Sequence, residues 1–321
     1  MKFLARLTVA AGTLLAFASP SLGQTYPNRP ITMIVPFAPG GPADVLARLV
    51  GQKMADDLGQ QVIIDNRPGA NTIIGAQVVA KAKPDGYTIL LAIDGTLVMN
   101  PFLYSKLSYD PFKDFEPIAK IADIPSVLEA NNNVPVKNVQ DVINLAKAKP
   151  GELNIGVSTP TSQVTASLFN MMAGVNLVQV PYKGGTTQIT GILAGDIQLG
   201  MESANIALPL WRESKIKIVG LTGGKRMSLA PEIPTVGETV PGFDLDIWQS
   251  VVAPAGTPKE IVARLYASLA KVMANAEIRQ KLLAVGIEPG ISKSPEEFAT
   301  LIKSQAETRE KVIKAVGMKL D

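Results

Sequence analysis

The 321-residue chain contains no cysteine and no histidine. Without cysteine there is no disulfide, no thiol nucleophile and no lipid-anchoring thiol, and without histidine there is no imidazole base. Lacking both, the chain offers no nitrogen or sulfur metal ligand, and hydrolases of the Ser-His-Asp type are excluded. An enzyme of this composition would need paired carboxylates, Lys, Tyr or an oxygen-only metal site, and no compact acidic cluster of that kind stands out. No cofactor is expected. Aromatic residues make up only 5 % of the chain, and 31 basic residues nearly balance 28 acidic ones. No basic cluster carries interleaved aromatics, so nucleic acid is not an expected partner. There is no fixed-period repeat and no low-complexity tract. Beyond the first residues, no apolar run reaches the roughly 18 residues of a membrane span.

What is present begins with Lys2 and Arg6, an apolar stretch over 7–18, and the small residues Ser21 and Gly23. This pattern predicts a secretory signal peptide, residues 1–23, cleaved after Gly23. Removing 23 of the 321 residues leaves 298, enough for two ordinary domains. Without Lys2 and Arg6 the balance is 29 basic to 28 acidic, a net charge of +1.

The most informative motif follows. Ile31 to Val35 has the length and β-branched content of a strand, and Pro36 and Pro39 stop it. Gly40 and Gly41 remove side chains that would keep a ligand off the backbone, and Pro42 suits the first position of a helix. Unpaired amides at the positive end of a helix, at the carboxyl end of a strand, would suit a carboxylate. Gly-Gly-Pro equally serves simply to turn the chain and start a helix. Asp44 competes for the same amides, or orients a water or an amine.

Onward, the pattern predicts a helix over 42–58, a strand over 61–65, a helix over 73–83 and a strand over 87–93. Right-handed crossovers make such a unit a parallel sheet with helices on both faces. Asp94-Gly95-Thr96 closes the third strand at the same end as Gly40 and Gly41. A passage between domains is expected near 119–128. A second unit has a helix over 139–149, a strand over 153–157, a polar loop over 158–163 and a helix over 164–173. A strand over 176–180 then leads through Pro181-Tyr182-Lys183-Gly184-Gly185 into a helix ending near Leu193, with further strands over 197–201 and 216–221. A Pro-rich connector precedes a strand over 248–254 and two amphipathic helices over 258–274 and 295–316 that return to the first domain. Trp211, Trp248 and the pair Met171-Met172 read as packing.

The motifs Tyr26-Pro-Asn-Arg-Pro-Ile31, Val35-Pro-Phe-Ala-Pro-Gly-Gly41, Asp44 and Ala47-Arg48 strongly resemble those of the Bug family. These are the extracytoplasmic solute receptors of tripartite tricarboxylate transporters. The match continues through Asn66-Arg-Pro-Gly69, Pro84-Asp-Gly-Tyr-Thr88, Asn100-Pro101, Val180-Pro-Tyr-Lys-Gly184, Pro234-Thr-Val236, Pro241-Gly-Phe243 and Ala253-Pro-Ala-Gly-Thr-Pro258, covering essentially the whole mature chain.

The resemblance implies an α/β, two-domain fold like that of type II periplasmic binding proteins, each domain a mainly parallel sheet flanked by helices, with a hinge between them. It implies domain 1 over 24–124 and 246–321 and domain 2 over 125–245. It further implies a monomeric periplasmic receptor, not an enzyme, that closes on a small organic acid and delivers it to membrane transporter subunits. The alternatives are an exported hydrolase that uses neither His nor Cys, and a sensor that signals without transport.

Carried over by position, the first binding loop supplies Phe37, Pro39, Gly40, Gly41, Ala43 and Asp44, and the second supplies Ser158, Thr159, Thr161 and Gln163. Gly95, Thr96, Tyr182, Lys183, Gly184 and Glu202 are further ligand-binding candidates. Relatives follow the turn of the second loop with His-Leu-Ala, whereas this chain has no His between Val157 and Thr165, so Gln163 or Thr165 is expected to supply a neutral hydrogen bond. Ser158, Thr159, Thr161 and Ser162 offer hydroxyls to an oxyanion, or form a solvated loop with a helix cap at Ser162. Tyr182 and Lys183 seat a ligand or form a surface loop, with Lys183 contributing its backbone rather than its well-hydrated ammonium. Glu202 meets an amine or makes a surface ion pair.

Overall fold

In the computed structural model, residues 26–320 are described, and the export signal read at 1–23 lies outside them. Ile31, Met33, Ile34 and Val35 are all buried, so β1 (Ile31–Val35) is covered on both faces, as an unbroken apolar run requires. It leads into α1 (Pro42–Leu58), whose Leu46, Val50, Met54 and Leu58 recur every four residues along one buried face. Next come β2 (Val62–Asn66), α2 (Ile73–Ala80) and β3 (Thr88–Ile93). Where a simple turn is expected at 94–96, β3 instead runs into a π-helical segment, Gly95–Met99, and the short α3 (Asn100–Leu103). Then β4 (Phe115–Ile124) completes the first passage.

Pro125 separates β4 from β5 (Ser126–Asn131), which belongs to a second sheet. The second unit continues with α4 (Val139–Ala148), β6 (Asn154–Val157), α5 (Pro160–Ala173), β7 (Val178–Pro181) and α6 (Gly185–Ala194). It ends with β8 (Leu199–Ser203), α7 (Ala204–Arg212) and β9 (Ile216–Leu221). The chain returns as β10 (Ile247–Pro254), followed by α8 (Lys259–Ala274), α9 (Ala276–Ala284), β11 (Glu288–Pro289) and α10 (Pro295–Val316).

The strand orders are β11-β4-β10-β3-β1-β2 and β7-β6-β8-β5-β9. The α/β architecture is as expected, but the sheets are mixed rather than mainly parallel. Only β2-β1-β3 and β7-β6-β8 are parallel neighbours; β10 runs against β3 and β4, β11 runs against β4, and β5 runs against β8 and β9. Helical crossovers impose parallel pairing on the local units, whereas β5 and β10 enter their sheets from the opposite unit and are free to run the other way.

The two crossings lie side by side. The Thr222 amide and hydroxyl both donate to the Ser126 carbonyl, and the Leu245 amide donates to the Thr222 carbonyl. A buried cluster continues across this junction, with Phe169 of α5 edge-on to Phe243 and Trp248 edge-on to Phe298. Trp248 is fully buried, as its reading as packing implies, and its indole N–H donates to Gln305 at 2.7 Å. Met171 departs from expectation: the four-residue phase set by Val164 and Leu168 turns Met172 inward and leaves Met171 half exposed.

Candidate functional site

The N-terminus of α1 carries no side-chain cap: Gly41 is its N-cap and Pro42 its first residue. The amides of Gly41, Ala43 and Asp44 therefore have no intrahelical acceptor, and the positive end of the helix dipole adds to their pull on an anion. Gly40 is different. With φ of +89° it needs glycine, and its N–H is already donated to Asp44 Oδ2 at 2.9 Å, so it is not the bare donor expected. Asp44 Oδ2 also accepts from Arg48 Nε at 2.9 Å, while Oδ1 accepts from Asn66 Nδ2, which in turn donates to the Phe37 carbonyl. The buried Asp44 thus braces the loop from both ends. The Arg48 hydrogen bond, helped by those of Gly40 and Asn66, holds its carboxyl at about 2. Neither the water nor the amine considered for it is needed.

From the other unit, α5 points its N-terminus at the same space. It begins at Pro160, four residues earlier than expected, because Thr159 rather than Ser162 is the cap. The Ser162 amide donates to Thr159 Oγ1 at 3.1 Å, and Ser162 Oγ accepts from the Ser158 and Thr159 amides, both at 2.9 Å. This capping box takes two of the four hydroxyls the sequence suggested for an oxyanion, those of Thr159 and Ser162. Thr161 remains at the interface, its hydroxyl donating across the units to Met99 Sδ at 3.8 Å.

Between the two helix ends lies a cavity of about 440 Å³, a size suited to a small ligand. Of the expected residues, Phe37, Gly41, Ala43, Gly95, Thr159 and Thr161 line it. A side pocket of about 50 Å³ is lined by Ser158, Thr159, Thr161, Ser162, Thr165 and Glu202. Pro39, Gly40, Asp44, Thr96 and Gln163 lie outside both walls. Buried Thr96 instead pairs its hydroxyl with that of Thr72 at 2.7 Å.

Tyr182, Lys183 and Gly184 also lie outside both walls. The Tyr182 ring is turned onto α6, where the missing side chain of Gly191 lets it lie against the helix, and Lys183 is exposed. Glu202 is buried, not a surface ion-pair partner: Ser158 Oγ donates to Oε2 at 2.9 Å and the Ser203 amide to Oε1 at 2.8 Å. Behind it, burial first and the neighbouring Glu202 second push Glu129 up to about 8.

Much of the wall went unread in the sequence. Pro68, Gly69, Asn71 and Thr72 come from the turn after β2, Met99, Asn100 and Leu103 from the π-helical turn and α3, and Ile93, Ile124, Ile247 and Gln249 from strand ends. Ala70, Asn71 and Thr72 form a run of left-handed backbone, with φ of 45°, 48° and 73°. Such a run is unfavourable for residues with a Cβ and is found where a site holds it. Asn100 Nδ2 supports it by donating to the Asn71 carbonyl at 2.9 Å. The turn Asn66-Arg67-Pro68-Gly69 was the one available signal for this part of the wall.

The model of the tripartite tricarboxylate transporter family receptor matches residues 46–318. BugT of Bordetella pertussis is 30 % identical, with 98 % of each chain covered. Among solved structures, Rpa4515 of Rhodopseudomonas palustris, determined with adipate, is 35 % identical with a TM-score of 0.77, covering 92 % of this chain and 99 % of its own. MatC of the same organism, determined with bound malate, is 31 % identical with a TM-score of 0.72, covering 90 % of this chain and 100 % of its own. The chain described here belongs to the tripartite tricarboxylate transporter receptor family, the Bug-type solute-binding proteins.

Proposed function

We propose that this receptor works in the periplasm, where it captures a small organic acid in the cavity between its two units and delivers it to transporter subunits in the membrane. The units are residues 24–124 with 246–321, and residues 125–245; they act as two bodies hinged at Pro125 and at the strands beside Thr222 and Leu245. The protein works as a monomer without cofactor, binding reversibly and leaving the acid chemically unchanged. Cleavage after Gly23 releases the mature form.

The observation that carries this reading is the uncapped N-terminus of α1 opening onto a cavity that both units wall. A carboxylate seated there takes the amides of Gly41 and Ala43, and its hydrogen bonds strengthen as closure removes water. Binding energy available only when both units touch the ligand favours the closed state. The adipate and malate bound by similar receptors support an organic acid as the class.

Calorimetry on Gly41→Val tests the seat. Gly41 has an ordinary φ of −79°, and a Cβ there meets only the Ala38 carbonyl oxygen at 3.9 Å, so the fold accepts a side chain. The valine fills the space of the acid, and affinity is expected to fall at least about a hundredfold with little change in melting temperature. Unchanged affinity for an acid found by a thermal-shift screen would remove the seat from consideration.

A further inference from the structure

Among the described residues, no charged side chain lines the main cavity. Its wall combines apolar residues such as Ile93, Met99 and Ile247 with a few neutral amides and hydroxyls, so a second full charge on the ligand would be desolvated with no ion to meet it. One polar group in this wall has no internal use. Gln249 is 1 % exposed, lines the cavity, and its Oε1 is buried without a hydrogen-bond partner. A buried acceptor left unpaired is costly, and it persists where something outside the chain completes it.

The ladder that joins the strand of Gln249 to its neighbour β4 is irregular beside that residue, the extra residue lying on β4. Gln249 of β10 faces Ala122 of β4 while Ser250 faces Lys120, so Ile121 is an extra residue and the ladder bulges there. Bulges re-aim side chains beside functional sites. Ile247 and Gln249, two residues apart, share the face that meets the cavity.

We propose that Gln249 is the specificity-determining residue, reading a neutral hydroxyl or amide on the ligand beyond an apolar middle, with the single carboxylate at the α1 terminus. This inference rests on the carboxylate seat proposed above and adds the nature of the ligand's other polar group. A carboxamide presents an acceptor and a donor from one end, so it pairs with a hydroxyl in either sense. A second carboxylate, which only accepts, leaves the Gln249 oxygen unpaired and adds an uncompensated charge.

Calorimetry with two matched series tests this: benzoate, 4-hydroxybenzoate and terephthalate; and hexanoate, 6-hydroxyhexanoate and adipate. In at least one series the hydroxy acid is expected to bind about tenfold tighter than both the plain acid and the diacid. Gln249→Leu should erase that preference, and Gln249→Met should do the same. Neither variant should lower the melting temperature of the free protein, since the Oε1 they remove has no internal partner; a clear loss would assign Gln249 a structural role instead and overturn the proposal. A diacid preferred in both series, or a hydroxyl preference that survives both substitutions, overturns it while leaving the carboxylate seat intact. If no acid binds, or if Gly41→Val binds them all as well as the parent, the seat itself fails and the proposal falls with it.

Discussion

At Asp44 one carboxylate ties the loop after β1 to α1 and to the end of β2. It accepts hydrogen bonds from Gly40, Arg48 and Asn66, and Asn66 passes the restraint on to Phe37. Asp44→Ala leaves the Gly40 amide and the Asn66 amide group without their acceptor, at a cost of about 2 kcal/mol in unfolding free energy. Affinity should fall as well, because the Gly41 amide is positioned by the same loop. Chemical denaturation together with ligand titration measures both effects. The acid limb has a definite sign: a carboxyl lowered from 3.8 to about 2 contributes stability that is present above pH 4 and lost as pH falls through 2. In Asp44→Asn that part of the acid limb should be missing from an unfolding profile.

Among the elements, α5 carries the clearest lesson about where a helix begins. The six residues from Ser158 to Gln163 read as a polar loop, yet Thr159 and Ser162 close a reciprocal capping box that extends the helix back to Pro160. Thr159→Ala should destabilise the protein by about 1 kcal/mol and also loosen the wall that Thr159 and Thr161 build. Urea denaturation gives the first quantity, and an unchanged midpoint would deny the cap its role. The contrast with α1 assigns the labour. One helix end is closed by its own side chains and forms a wall, while the other is left open by Gly41 and is the seat proposed for the carboxylate.

Across the whole molecule, two carboxyls with raised values predict a stability that falls with pH. Burial, with Asp123 and Asp244 nearby, pushes Asp246 beside the crossing strands up to about 8, and Glu129 in the second unit reaches about 8 as well. Carboxyls raised in this way favour folding fully below their unfolded values, near 4, and lose that contribution as pH rises through 8. The melting temperature should therefore decline between about pH 5 and pH 8, measured without ligand. Glu129→Gln should flatten part of that slope, so that variant and parent differ more at pH 8 than at pH 4. A parent profile flat over this interval would contradict the burial of neutral carboxyls.

The strand, Gly-Gly turn and helix from Ile31 to Leu58 were legible in the sequence because each signal is local: β-branched run, proline stops, glycine at positive φ, four-residue apolar spacing. The α/β alternation and the long helices near the C-terminus were legible for the same reason. The resemblance also carried Phe37, Gly41, Ala43, Gly95, Thr159 and Thr161 over by position, and all six line the cavity. Side-chain direction was not legible. Tyr182, which follows a strand in a family motif, turns onto Gly191, and Gly40 spends its amide on Asp44. Nor could sequence pattern bring Gln249, Ile124 and Asn71 to one cavity, since they lie far apart along the chain and meet only when β10 inserts between β3 and β4. Local backbone chemistry determined the uncapped helix end proposed as the seat of the acid; long-range strand pairing decided which distant side chains share its cavity.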